Sequence, residues 1–174
     1  MGDAPDFARR RFLRGQSPQA AGAVRPPGAL SPGTFFDACT TCGDCVSACP
    51  EQIIVHGEGG YPEVRFQKGE CTFCNACVDA CREPALSGGL QPPWQLDLRI
   101  DAQCLAGQGV VCQSCRDACG ERAIRFPPLL GRVAVPEVNA DACTGCGACV
   151  AACPADAMAL APRAEHPGEA VAHG

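Results

Sequence analysis

A chain of 174 residues with seven Phe, one Tyr and one Trp has too few large apolar side chains to fill an ordinary core, and its net charge of −5 argues against nucleic acid as a partner. No apolar run approaches the roughly 20 residues of a membrane span, so a soluble protein without a membrane segment is expected. Sixteen cysteines, roughly a tenth of the chain, point to a covalent or metallic staple in place of side-chain packing.

Residues 1–33 read as a basic arm with five Arg against two Asp, which leaves the rest of the chain more acidic than the total. A small acidic body behind such an arm predicts protein partners, at least one with a basic docking face. Within the arm, Arg9-Arg10-Arg11-Phe12-Leu13-Arg14 is similar to a twin-arginine export signal. That signal requires an apolar run next, and Gly15 to Pro26 contains none. The segment is therefore read as a docking element, ahead of a disordered tail and of an export signal. Arg9, Arg10, Arg11 and Arg14 supply its charge, and Phe12 and Leu13 its apolar contact. With no ordinary secretory leader, disulfides are disfavoured and metal is the expected staple.

The cysteines fall into four quartets, an internal repeat. Cys39, Cys42, Cys45 and Cys49, then Cys71, Cys74, Cys77 and Cys81, and last Cys143, Cys146, Cys149 and Cys153 share the spacing C-x2-C-x2-C-x3-C. The third quartet, Cys104, Cys112, Cys115 and Cys119, has a seven-residue gap after its first member. Pro50 and Pro154 follow the first and fourth quartets, whereas Arg82 and Gly120 stand at that position in the other two. Alternating apolar runs at Glu63-Phe66, Gln95-Ile100 and Arg132-Val135 precede three quartets. Others at Ile53-Val55, Ala123-Phe126 and Ala157-Leu160 follow three of them. Period-two patterning predicts short strands, and the Ala-rich segments inside the quartets predict one-turn helices. One such unit is too small to bury a core, so two make a module. The expected fold is α+β, two tandem bacterial-ferredoxin-like modules at residues 34–90 and 91–161. Between them lies linker composition from Ser87 to Pro93, and after them a disordered tail at 162–174.

The spacing itself selects the chemistry. Three cysteines two residues apart wrap one loop around three corners of a cubane, and small intervening residues let backbone N–H groups approach its sulfurs. Here those residues include Gly43, Gly145, Gly147, Thr40, Thr41, Thr144 and Ser114. A tetrahedral zinc ion gains nothing from the third cysteine, and a redox CxxC is not repeated four times. Four [4Fe–4S] clusters are therefore expected on all sixteen thiols. In two-cluster ferredoxins the fourth cysteine serves the other cluster of the pair. That rule gives Cys39, Cys42, Cys45 with Cys81; Cys71, Cys74, Cys77 with Cys49; Cys104, Cys112, Cys115 with Cys153; and Cys143, Cys146, Cys149 with Cys119. Cys104, across the long gap, is the least regular ligand. No catalytic apparatus accompanies the clusters. His56, His166 and His173 are scattered and read as idle, Trp94 as a packing residue between modules, and Gly59-Gly60-Tyr61-Pro62 as a turn.

Beyond the quartets, further pieces carry a resemblance: Arg10-Arg11 with Phe12 to Gly15, Arg25-Pro26-Pro27, Gly59 to Pro62, Glu70 to Cys74, Trp94-Gln95-Leu96, Cys104-Leu105-Ala106 and the long gap before Cys112. From the arginine-rich start to Pro154 the chain resembles the NapF family, ferredoxin-type accessory proteins of the periplasmic nitrate reductase system. The resemblance implies a cytoplasmic protein with four [4Fe–4S] clusters that is not an enzyme. Its implied partner is the nitrate reductase catalytic subunit, still a precursor before export. The implied role is cluster loading, redox adjustment or maturation of that subunit. The competing expectation is a general electron carrier between a dehydrogenase and an oxidoreductase.

Overall fold

The computed structural model describes residues 23–87, 94 and 96–163. The arm segment Arg9 to Arg14, most of the Ser87–Pro93 linker, and the tail with His166 and His173 lie outside the described residues. Each quartet carries a one-turn helix. With the preceding helix α1 (Pro32–Ala38), these are α2 (Asp44–Ala48), α3 (Ala76–Asp79), α4 (Ser114–Asp117) and α5 (Ala148–Ala151). None is long and apolar enough to cross a membrane.

Among the described residues, six short strands form three antiparallel pairs. β1 (Ile54–His56) pairs with β2 (Pro62–Val64), with Ile54 opposite Val64. β3 (Leu96–Ile100) pairs with β6 (Met158–Pro162), with Leu98 opposite Leu160, and β4 (Ile124–Arg125) pairs with β5 (Glu137–Val138). The strand expected at Arg132–Val135 is displaced. Leu129 and Arg132 close a tight turn in which Gly131 adopts φ +68, and the pairing of Ile124 with Val138 puts the strand beyond Pro136. Proline has no N–H for a ladder, which explains why the run before it is left out.

The first module departs from the simple repeat on its outer side. The second module closes that side with β3 and β6, but the first uses α1 and a 3₁₀ turn at Pro84–Leu86, joined by the Leu30 N–H donating to the Ala85 carbonyl at 3.1 Å. Pro32 opens α1, where its missing N–H costs nothing. The helix buries Phe35 and Phe36 and ends as Cys39 turns extended and donates its N–H to the Phe35 carbonyl. Phe35, Phe36 and Tyr61 form a cluster with centroids 4.9 to 6.3 Å apart, in which Phe36 is edge-on to both of the others. The Arg25 guanidinium sits 5.1 Å from the Phe36 ring and donates to the Pro62 carbonyl. Val24 is buried, and its carbonyl accepts from the Val64 N–H at 2.8 Å. Val24 and Arg25, inside the span expected to be arm, thus belong to the packed body.

A single core runs through both modules. At the junction Trp94 meets Phe66 edge-on at 5.8 Å and Phe73 at 6.5 Å, and its N–H donates to the Thr144 carbonyl. Gly147, at φ +89, lies so close to the Phe66 ring that a side chain there would overlap it. Nearby, the Cys71 N–H donates to the Cys146 carbonyl at 2.7 Å. The cysteine loops of quartets two and four are therefore in direct contact.

Candidate iron–sulfur centres

The cysteine loops share a backbone device that only the structure reveals. In quartets one, two and four, the residue before the second cysteine and the residue after it both have positive φ. They are Thr41 and Gly43, Phe73 and Asn75, and Gly145 and Gly147. Left-handed residues alternating with right-handed ones turn successive N–H groups into a concave nest, the arrangement that cradles anionic sulfur. For Phe73 this conformation is sterically unfavourable, costing on the order of 1–3 kcal/mol, and it persists because the loop needs it. Quartet three lacks the device, since Gln113 sits at φ −136. Its long gap instead folds into turns of its own, with the Gln108 N–H donating to the Cys104 carbonyl and Val110 to Leu105.

A second repeated feature follows the fourth cysteine. Gln52, Arg122 and Asp156 adopt φ near +50, and each donates its N–H to the carbonyl of Cys49, Cys119 or Cys153. The next N–H in two cases points at sulfur: Ala123 to Cys119 Sγ and Ala157 to Cys153 Sγ, both at 3.3 Å. Quartet two has neither, and its chain turns into the 3₁₀ segment instead.

The third cysteine of every quartet is the buried one: Cys45, Cys77, Cys115 and Cys149. Desolvation pushes the first three thiols up to about 11 and Cys149 up to about 12, and neighbouring thiols add to this. The neighbours reveal how the quartets interleave. Cys39, Cys81 and Cys42 act on Cys45; Cys71 and Cys49 act on Cys77; Cys49 and Cys74 act on Cys71. Cys104 and Cys112 act on Cys115, so the first cysteine of the long gap is brought to its own quartet. Cys146, Cys143 and Cys119 act on Cys149. The fourth cysteines Cys81, Cys49 and Cys119 are among these electrostatic neighbours, as are Cys77 for Cys45, Cys146 for Cys71 and Cys115 for Cys149. Cys153 joins the remaining set by the exchange rule alone.

Protonated, these clustered thiols are stable. As thiolates they need compensating positive charge, which iron supplies on binding. Thiols in the nest-forming loops of quartets one, two and four, and N–H donors aimed at Cys119 and Cys153, have the chemistry that [4Fe–4S] clusters take. Sequence reading missed one neighbour, His56. Its ring lies over Gly43 in the first loop, so close that a Cβ there would sit 2.8 Å from it, and its Nδ1 is 3.4 Å from the Gly60 carbonyl. Strand register brings it there, and a lone histidine in β1 gives no such signal.

Comparison with known proteins agrees with this chemistry. Residues 29–86 and residues 110–157 each match a 4Fe-4S dicluster domain. The ferredoxin-type protein NapF of Haemophilus influenzae is 44% identical over 165 residues, covering 89% of this chain and 94% of that protein. NapF of Escherichia coli K12 is 41% identical over 153 residues, covering 88% and 93%. More distantly, the methylamine utilization ferredoxin-type protein MauM of Paracoccus denitrificans is 33% identical over 168 residues, covering 84% and 74%. With two dicluster ferredoxin domains, the chain is an iron–sulfur protein of the electron-transfer type and not an enzyme. It belongs to the NapF family of ferredoxin-type proteins.

Proposed function

We propose that the chain binds four [4Fe–4S] clusters and acts in the cytoplasm on the catalytic subunit of the periplasmic nitrate reductase, before that subunit is exported. The role is cluster loading or redox adjustment during maturation. The ligand sets are Cys39, Cys42, Cys45 and Cys81; Cys71, Cys74, Cys77 and Cys49; Cys104, Cys112, Cys115 and Cys153; and Cys143, Cys146, Cys149 and Cys119. The observation that carries the reading is the match of residues 29–86 and 110–157 to 4Fe-4S dicluster domains, together with NapF relatives that align over most of the chain. Clusters held there supply one-electron chemistry. The protein's own part is to bury one thiol of each set, aim N–H groups at sulfur, and hold the loops of quartets two and four against each other. The basic segment Arg9, Arg10, Arg11, Phe12, Leu13 and Arg14 docks the client precursor.

Two measurements test this. Anaerobically purified protein is expected to hold about sixteen iron and sixteen sulfide per chain, four cubanes of four. Stoichiometric zinc without sulfide would sink the ligand reading. The intact chain is expected to co-purify with nitrate reductase precursor from cytoplasm, and a chain lacking residues 1–22 to do so poorly. That truncation spares Val24, whose carbonyl accepts from the Val64 N–H in the packed body. Equal recovery of the precursor with a general carrier ferredoxin would favour the carrier reading.

A further inference from the structure

Large aliphatic side chains stand bare around the third quartet. Val110 and Val111 immediately precede Cys112, and Val111 is 80% exposed. Leu130, at the tip of the turn closed by Leu129 and Arg132, is fully exposed, and Leu129 is nearly half exposed. Val111, Cys112 and Gln113 line one depression with Gly131, Arg132, Val133 and Ala134, and Leu130 immediately precedes its Gly131. A second depression lies past α4 and is lined by Arg116, Arg122, Arg125 and Phe126. Arg116 is paired with Asp117, but among the described residues no ion pair engages Arg122, Arg125 or Arg132.

The charge here is opposite to that of the other module. Residues 29–86 set eight acids against Arg65, Lys68 and Arg82, whereas four arginines between Val110 and Val135 meet only Asp117 and Glu121. Solvated apolar side chains beside unpaired cations are what a protein partner covers and a lone monomer has no reason to keep. Arginine rather than lysine favours planar, bidentate oxyanion partners such as carboxylates.

We propose that these two depressions together form a docking site for a protein whose contact surface is apolar at the centre and carboxylate-rich at the rim. It is the client's second contact beside the arm, and it sets the client against Cys112. The inference rests on the client reading above. The acidic first module stays free for a basic partner.

The test is anaerobic binding of the purified nitrate reductase precursor to cluster-loaded protein. Val111→Ser with Leu130→Ser is expected to weaken binding tenfold or more at any salt. Arg122→Gln with Arg125→Gln and Arg132→Gln is expected to weaken it similarly at low salt and little at high salt, because exposed charges are screened within roughly 8 Å at physiological ionic strength. Iron content and visible absorbance, unchanged in both, show that the third quartet is intact. If the intact chain binds and both variants bind equally well, this surface is overturned and the client reading stands. No binding by the intact chain overturns both. Binding of the intact chain to anionic phosphatidylglycerol vesicles, lost in the same variants, would assign the face to a membrane and also overturn the proposal.

Discussion

In the first module the outer side is closed by α1 and the Pro84–Leu86 turn, around Phe35, Phe36, Tyr61 and the Arg25 guanidinium. In the second, β3 and β6 close the same side, and the buried apolar residues carry no aromatic ring: Leu96, Ala106, Ala123, Ile124, Ala148, Val150, Ala157 and Met158. The parts common to both modules are the cysteine loops, the one-turn helices and the inner strand pair. Those are the parts that position thiols and backbone donors. The outer layer is free to be helix or sheet, because it only has to cover the loops. One module therefore owns an aromatic core, while the other relies on its ligands.

The largest expected effect follows directly. During anaerobic iron chelation, amide exchange across residues 96–163 should accelerate well before exchange across residues 24–66. The small core of the second module offsets little of its chain entropy, whereas metal binding couples to folding throughout. Hydrogen-exchange mass spectrometry checks this. Simultaneous loss in both regions would mean that the aromatic cluster adds no independent stability.

Phe35→Ala sharpens the comparison from the other side. It removes a side chain that is 1% exposed and edge-on to Phe36, and should cost about 3–5 kcal/mol. The damage should be confined to the first module, read as lower thermal stability with the iron of the second module retained. Gly147→Ala comes next. It imposes φ +89 on an alanine and drives its Cβ into the Phe66 ring, a conformational cost of about 1–2 kcal/mol plus about 1–3 for overpacking. It should loosen the contact between quartets two and four without removing a thiol. Altered magnetic interaction between the clusters of the two modules, at unchanged iron content, is the expected signature.

Much of the architecture was legible because ligation dictates it. Spacing alone located the four loops and their one-turn helices, and period-two runs located β1, β2, β3, β4 and β6. α1 was not legible, since Pro32-Gly33-Thr34-Phe35-Phe36 is too short for periodicity and opens with two poor helix formers. β5 was misplaced because Val133 and Val135 alternate as a strand would, while Pro136 and the Ile124–Val138 register decide otherwise. The left-handed pair Phe73 and Asn75 was hidden, because only glycine advertises positive φ in a sequence. The meeting of Cys71 with Cys146 is purely tertiary.

Charged groups carry the same contrast at smaller scale. Arg25 is half-buried, and desolvation lowers its pKa. It spans two aromatic rings and donates to the Pro62 carbonyl. Arg25→Gln should destabilise the first module by about 1–2 kcal/mol through lost cation–π and hydrogen-bond contacts. Because those contacts are shielded from solvent, the loss should be nearly independent of salt.

The smallest effect belongs to the corresponding charge pair of the second module. Arg163 donates to Asp97 at 2.9 Å across the β3–β6 ribbon, and both side chains are about two-fifths exposed. Opposite charges on neighbouring strands hold register, but in contact with water they gain little over their hydrated state. Exposed pairs contribute roughly 0.2–1 kcal/mol. Asp97→Asn should therefore lower the thermal midpoint slightly at low ionic strength. At several hundred millimolar salt the difference from the parent should vanish, since the screening length falls to roughly 3 Å at 1 M. The Arg25→Gln deficit should persist unchanged in the same titration. Thermal melts of both variants across one salt series make the check. If Asp97→Asn kept its full effect at high salt, the ribbon charges would be as sheltered as Arg25, and the division between a self-supporting module and a ligand-supported one would lose its electrostatic half.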